Sequence, residues 1–83
     1  MEVYILYSRS LKQHYVGQTQ DLLDRVKVHN AGHVKSSKRG SPWEIKWHIK
    51  CANRSEAMKL ERRIKKRGAS RFLEDIKYSR GVA

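Results

Sequence analysis

The stretch "PWEIKWHIK", residues 42–50, constrains the fold most. In it Trp43, Ile45, Trp47 and Ile49 alternate with Glu44, Lys46, His48 and Lys50. Side chains leave a pleated strand on alternate faces, so a period of two over eight residues is met by a half-buried strand and by no helix. Pro42 suits the start of such a strand, where no ladder hydrogen bond is needed from its nitrogen. On this reading both tryptophans share one face with the isoleucines, as core residues and not as platforms for stacked bases.

A strand of this kind needs partners, and the N-terminal residues supply two. Residues 3–8, "VYILYS", are β-branched and aromatic, residues 9–13 are polar, and "HYVG" at 14–17 returns to an aromatic and a valine. That order reads as a hairpin. Downstream, "TQDLLDRVKVHNAG" has Leu22, Val26 and His29 at helical spacing, Thr19 as N-cap, Asp21 in the first turn and Gly32 just past the end. Asn53 followed by Glu56 has the spacing of a capping box, opening a helix to Gly68 whose apolar stripe is Ala57, Leu60 and Ile64. "SRFLEDIKY" fits a short last helix with Phe72, Leu73 and Ile76 inward, followed by a tail, residues 79–83, with little to hold it. The expected architecture is α/β (α+β), a three-stranded antiparallel sheet flanked by helices in the order β-β-α-β-α-α.

With 83 residues the chain has room for one small core, so residues 1–83 are expected to form one domain. Nineteen Lys and Arg against eight acids give a net charge of +11 and a pI near 10.2. Self-repulsion of that size is relieved by an anionic partner, and nucleic acid is the first expectation. Cys51 is the one cysteine, which excludes a disulfide framework and a Cys/His zinc site and fits a reducing cytoplasm. The apolar run "VYILY" is far shorter than a signal peptide core or a membrane span, so neither export nor a membrane partner is expected.

Several residues fit awkwardly into a plain core. Arg25 and His29 lie one turn apart beside the buried stripe of the first helix. Glu61 falls between Ala57 and Ile64 on the inward side of its helix, where a carboxylate needs a cation, a metal or several donors. Lys59, Arg62, Arg63, Lys65 and Lys66 surround it, so a structural salt bridge answers the need as well as a metal does. Tyr4 and Tyr15 on the paired strands are either packing residues or two phenols aimed at one site. Together the five offer a base, a phosphate clamp, a proton partner and a metal ligand. "GHVKSSKRGSP", residues 32–42, lacks apolar periodicity and reads as a mobile basic loop. Its Lys35, Ser36, Ser37, Lys38 and Arg39 are suited to phosphate contacts, and Gly17 would let a phosphate or backbone approach the sheet.

At these residues the sequence resembles the GIY-YIG nuclease superfamily, especially small members related to the catalytic domain of the bacterial excision-repair nuclease. The first motif stands here as "VYI" at Val3–Ile5 and the second as "YVG" at Tyr15–Gly17. Arg25 and His29 in "LLDRVKVHNAG" match the family's helix pair, and Glu61 in "NRSEAMKLERRIKK" matches its metal-binding glutamate. Val3 stands where the name motif has glycine, and "RFLEDI" lacks the asparagine that many members carry after the glutamate. The resemblance implies a metal-dependent endonuclease acting on nucleic acid, DNA in preference to RNA, in a DNA-repair setting. It assigns catalytic roles to Tyr4, Tyr15, Arg25, His29 and Glu61, with one Mg²⁺ or Mn²⁺ on Glu61. The alternative is a noncatalytic binding module or an accessory domain, and a protein partner could supply specificity to either.

Overall fold

The computed structural model describes residues 1–82, with side chains through residue 78. Its elements run β1 (Glu2–Ser8), β2 (Gln13–Thr19), α1 (Leu22–Asn30), a 3-10 turn (Lys35–Gly40), β3 (Trp43–Lys50), α2 (Arg54–Arg67) and α3 (Ala69–Val82). The order β-β-α-β-α-α and the antiparallel three-stranded sheet agree with the sequence expectation.

In the sheet the order is β2-β1-β3, which puts the most apolar strand in the middle. Val3, Tyr4, Ile5 and Leu6 of β1 are all buried, so both faces of the sheet are covered. Val3 and Ile5 point to one face, where Ala57 and Ile64 of α2 close a core with Leu60, Phe72 and Leu73 packed around it. Tyr4 and Leu6 point to the other, against Leu22 of α1 and Trp43. Alternation along one strand thus builds two cores, one under α2 and α3 and the other under α1.

The helix ends follow local chemistry. Asn53 Oδ1 accepts from the Glu56 N–H at 2.9 Å, as the capping spacing predicts, while the Glu56 carboxylate accepts from the Ala52 N–H at 3.2 Å. For α1 the cap is Asp21 and not Thr19: Asp21 Oδ1 accepts from the Asp24 N–H at 3.1 Å. Thr19 ends β2 instead, and its hydroxyl accepts from the Asp21 N–H at 3.2 Å. Past α1 the chain closes a Schellman turn, with Gly32 N–H donating to His29 O and His33 N–H to Val28 O. Gly68, at φ 95°, separates α2 from α3, and Arg67 of α2 bonds Asp75 of α3 through both carboxylate oxygens at 2.9 and 3.0 Å. α3 is longer than the expected short helix; it continues through most of the expected tail to Val82, and Ala83 lies outside the described residues.

One expectation for β3 is corrected. The register on β1 shifts between Ile5 and Leu6: Ile5 faces Trp47, yet Leu6 faces Ile45. The bulge places one extra residue, Lys46, on β3 and reverses which side its neighbours face. Trp43 consequently joins the Tyr4 core, at 5% exposure, whereas Trp47 joins the opposite core and meets Phe72 edge-on with ring centroids 5.0 Å apart. The two tryptophans are both packed, but on opposite faces. Ile49, at 44% exposure, shows how lightly this edge strand is covered at its far end.

Candidate active site

On the α1 face of the sheet, register alone brings the two sequence motifs together. Tyr4 pairs with Gly17 and Leu6 with Tyr15, so both tyrosines and the glycine share one face. The Tyr4 ring lies across the β2 backbone at Gly17. A Cβ added there would stand 2.5 Å from Tyr4 Oη and 2.7 Å from Cζ, inside any permitted contact. Gly17 is therefore the seat of the Tyr4 phenol, a packing reason for glycine that stands beside the close approach of a phosphate or backbone expected from the sequence.

Above this face α1 contributes His29 and Arg25. His29 is fully buried, with Nε2 3.1 Å from Tyr4 Oη and Nδ1 2.6 Å from Ser37 Oγ. The Tyr15 ring meets the imidazole edge-on at 4.7 Å between centroids, closing its other side. Arg25 is half-buried, and its positive charge pulls the proton affinity of the Tyr4 phenol down. Its Nε is buried yet has no partner among the described residues. A buried guanidinium N–H without an acceptor is uncommon and is suited to an incoming anion.

Burial sets the proton affinities. It pushes the Tyr4 phenol above its ordinary value, against the pull of Arg25, with Tyr15 and Glu61 adding smaller pushes in the same upward direction. Burial also holds His29 below the usual imidazole range, and the Arg25 charge adds to that. At neutral pH the pair is a neutral phenol against a neutral imidazole.

Glu61 approaches from α2, the helix that covers the other face, and its charge is still felt at Tyr4. Its side chain is 20% exposed and bonds Lys65 Nζ one turn on at 2.8 Å. No group of three or more His, Cys, Asp or Glu that could hold a metal ion exists among the described residues. One carboxylate fits a Mg²⁺-type ion, which keeps several waters and takes further oxygens from substrate phosphate, once Lys65 is displaced.

The basic segment after α1 is ordered differently from the expected mobile loop. Lys35–Gly40 form the 3-10 turn, with Ser37 and Gly40 buried and Lys35, Ser36, Lys38 and Arg39 exposed. Trp43 anchors it. The indole N–H donates to Ser37 O at 2.7 Å, the Trp43 N–H donates to Asn30 Oδ1 at 2.5 Å, and Asn30 Nδ2 donates to Trp43 O at 3.2 Å. The indole occupies the space a side chain at position 40 would need. Ser37 thus faces the interior at 1% exposure, its hydroxyl taken by His29 and by Val34 O, and is not available as a surface contact. Local composition could not reveal this, because the pull on Ser37 comes from His29 and from Trp43.

A three-stranded antiparallel sheet flanked by helices, with tyrosines on its paired strands, is here the frame of a nuclease-like domain with a nucleic-acid substrate, as the family match shows. The family profile of the GIY-YIG catalytic domain matches residues 1–74, and the chain belongs to that family. It is also 41% identical over 64 residues to the UPF0213 protein OB0043 of Oceanobacillus iheyensis, covering 76% of this chain and 73% of the relative. No solved structure matches the chain. No helix among the described residues is long and apolar enough to cross a membrane.

Proposed function

We propose that this chain, as one domain, is a metal-dependent endonuclease that hydrolyses phosphodiester bonds of nucleic acid, DNA in preference to RNA. The observation that carries the reading is the buried contact between Tyr4 Oη and His29 Nε2 beside an arginine whose Nε has no partner among the described residues. Free phenol is about 0.1% ionised at neutral pH, so tyrosine serves as a base when its own proton has somewhere to go. The neutral His29 imidazole provides the acceptor. As a water attacks phosphorus, its proton passes to Tyr4 Oη while the phenol proton passes to His29 Nε2. The new P–O bond forms as the bond to the leaving oxygen breaks. This makes Tyr4 the base of the two tyrosines, with Tyr15 as the wall that holds the imidazole.

Arg25 binds the nonbridging oxygens, where charge grows in the transition state. Glu61 would hold the Mg²⁺ or Mn²⁺, whose charge would stabilise the leaving oxygen. The exposed Lys35, Ser36, Lys38 and Arg39 take backbone phosphates next to the scissile one. The reading includes a cytoplasmic DNA-repair role with a protein partner adding specificity, since the net charge of +11 suits phosphate contacts that carry no sequence information.

The Glu61–Lys65 ion pair favours a second reading, in which Glu61 is structural and the chain is a noncatalytic binding module or accessory domain. Incubation with labelled single-stranded, duplex and branched DNA and RNA separates the two. Mg²⁺- or Mn²⁺-dependent cleavage that a chelator abolishes supports the enzyme; salt-sensitive binding with no cleavage of any substrate supports the module.

A further inference from the structure

The hydrogen-bond chain through His29 has a direction, and Ser37 sets it. Three hydroxyl or ring protons must be placed along Tyr4 Oη, His29 Nε2, His29 Nδ1, Ser37 Oγ and Val34 O. The contacts are 3.1 Å between Tyr4 and His29, 2.6 Å between His29 and Ser37, and 3.3 Å between Ser37 and the Val34 carbonyl. A carbonyl oxygen only accepts, so the last contact requires the Ser37 hydroxyl to donate to Val34. Ser37 Oγ is then left as an acceptor for a proton on His29 Nδ1, and Nε2 presents its lone pair to the Tyr4 hydroxyl. In the opposite arrangement Ser37 donates to Nδ1 and Nε2–H points at Tyr4. The buried phenol proton then loses its acceptor, since His29 is the one acceptor bonded to Tyr4 among the described residues. A buried donor without an acceptor keeps the full cost of its lost hydration, which selects the first arrangement.

We infer that Ser37 is a positioning residue that holds His29 as the Nδ1–H tautomer, so that Nε2 can take the Tyr4 proton. When it does, the imidazolium keeps its Nδ1–H bond to Ser37 Oγ and gains an Nε2–H bond back to Tyr4. The same serine therefore supports both states of the ring. Its own place is fixed from the far side by the Trp43 indole, which bonds the Ser37 carbonyl at 2.7 Å. The functional consequence rests on the proposed nuclease reading; the tautomer does not.

Long-range ¹H–¹⁵N correlation spectra of the assigned His29 ring in the wild-type protein test the tautomer without any substrate. The expected spectrum has Nδ1 protonated and Nε2 with the shift of an unprotonated, pyridine-like nitrogen. A protonated Nε2 with a bare Nδ1, or the averaged shifts of a free imidazole, would overturn the assignment. In Ser37→Ala the ring should move toward the Nε2–H form, and kcat should fall about tenfold with KM little changed. Ser37→Thr, which keeps the hydroxyl, should restore the tautomer and most of the turnover. A folded Ser37→Ala with unchanged ring shifts and unchanged kcat would overturn the positioning role. A wild type with the expected ring shifts that cleaves nothing would count against the nuclease reading and leave the tautomer assignment standing.

Discussion

Tyr4 and His29, 25 positions apart in the chain, meet inside the protein with Oη 3.1 Å from Nε2 and the rings edge-on at 71°. β1 holds one partner in the middle of the sheet and α1 lowers the other onto it, so neither can turn away without opening the core. The proton relay proposed for these two residues would thus be preorganised before any substrate arrives.

The close seat of Tyr4 on Gly17 has a direct consequence for stability. Gly17→Ala drives a methyl group into Cζ and Oη of a fully packed ring, and overpacking of this kind destabilises by about 1–3 kcal/mol. Thermal or urea melts should show that loss. Turnover should also fall even at temperatures where the variant is folded, because the phenol is displaced from Nε2.

His29 gives the protein an acid limit. Its folded-state affinity for protons is held down by burial and then by Arg25, so the unfolded chain binds the proton more readily. The stabilisation is complete above the ordinary imidazole value of 6.5 and is lost as pH falls from there through the lower folded value. Stability measured across that window should decline with acid, and His29→Gln should flatten its share of the decline. Cleavage should decline in the lower part of the window, where the ring itself becomes charged and can no longer accept from Tyr4.

Arg25 and Lys38 carry like charges in different settings, one half-buried beside Tyr4 and the other exposed on the 3-10 turn. Arg25→Ala should lower kcat by about 10²–10³-fold with a smaller effect on substrate affinity. Lys38→Ala should leave kcat unchanged and weaken binding, with the slope of log K against log salt reduced by about 1. Affinity titrations at several salt concentrations and single-turnover rates read both.

Much of this was legible in the residues. Alternation from Trp43 to Ile49 shows β3, the Asn53–Glu56 spacing shows the start of α2, and the order of the motifs assembles Tyr4, Tyr15, Arg25, His29 and Glu61 on successive elements. What stayed hidden depends on register and tertiary pull. The bulge at Lys46 sends Trp43 and Trp47 to opposite faces, and strict alternation carries no sign of one extra residue. The polar segment 35–40 looks like a solvated loop until the Trp43 indole and the His29 ring are in place to draw Ser37 inward. Gly17 owes its identity to a ring thirteen positions earlier, a contact made by strand pairing and invisible to local pattern.

If this fold cleaves a phosphodiester bond with an ion held on Glu61, Glu61→Gln is the decisive variant. The exchange keeps shape and helix propensity and removes the charge a hard cation needs. Its ion pair to Lys65, across a helical turn, is worth only about 0.3–0.5 kcal/mol, so the variant should melt close to the wild type. Cleavage rate and binding affinity for labelled nucleic acid are to be measured on that folded sample in Mg²⁺ and in Mn²⁺. Affinity should equal or exceed that of the wild type, with one negative charge gone beside the phosphate, and cleavage should fall by at least about 10²-fold. Full metal-dependent cleavage by Glu61→Gln would rule out an ion held on Glu61.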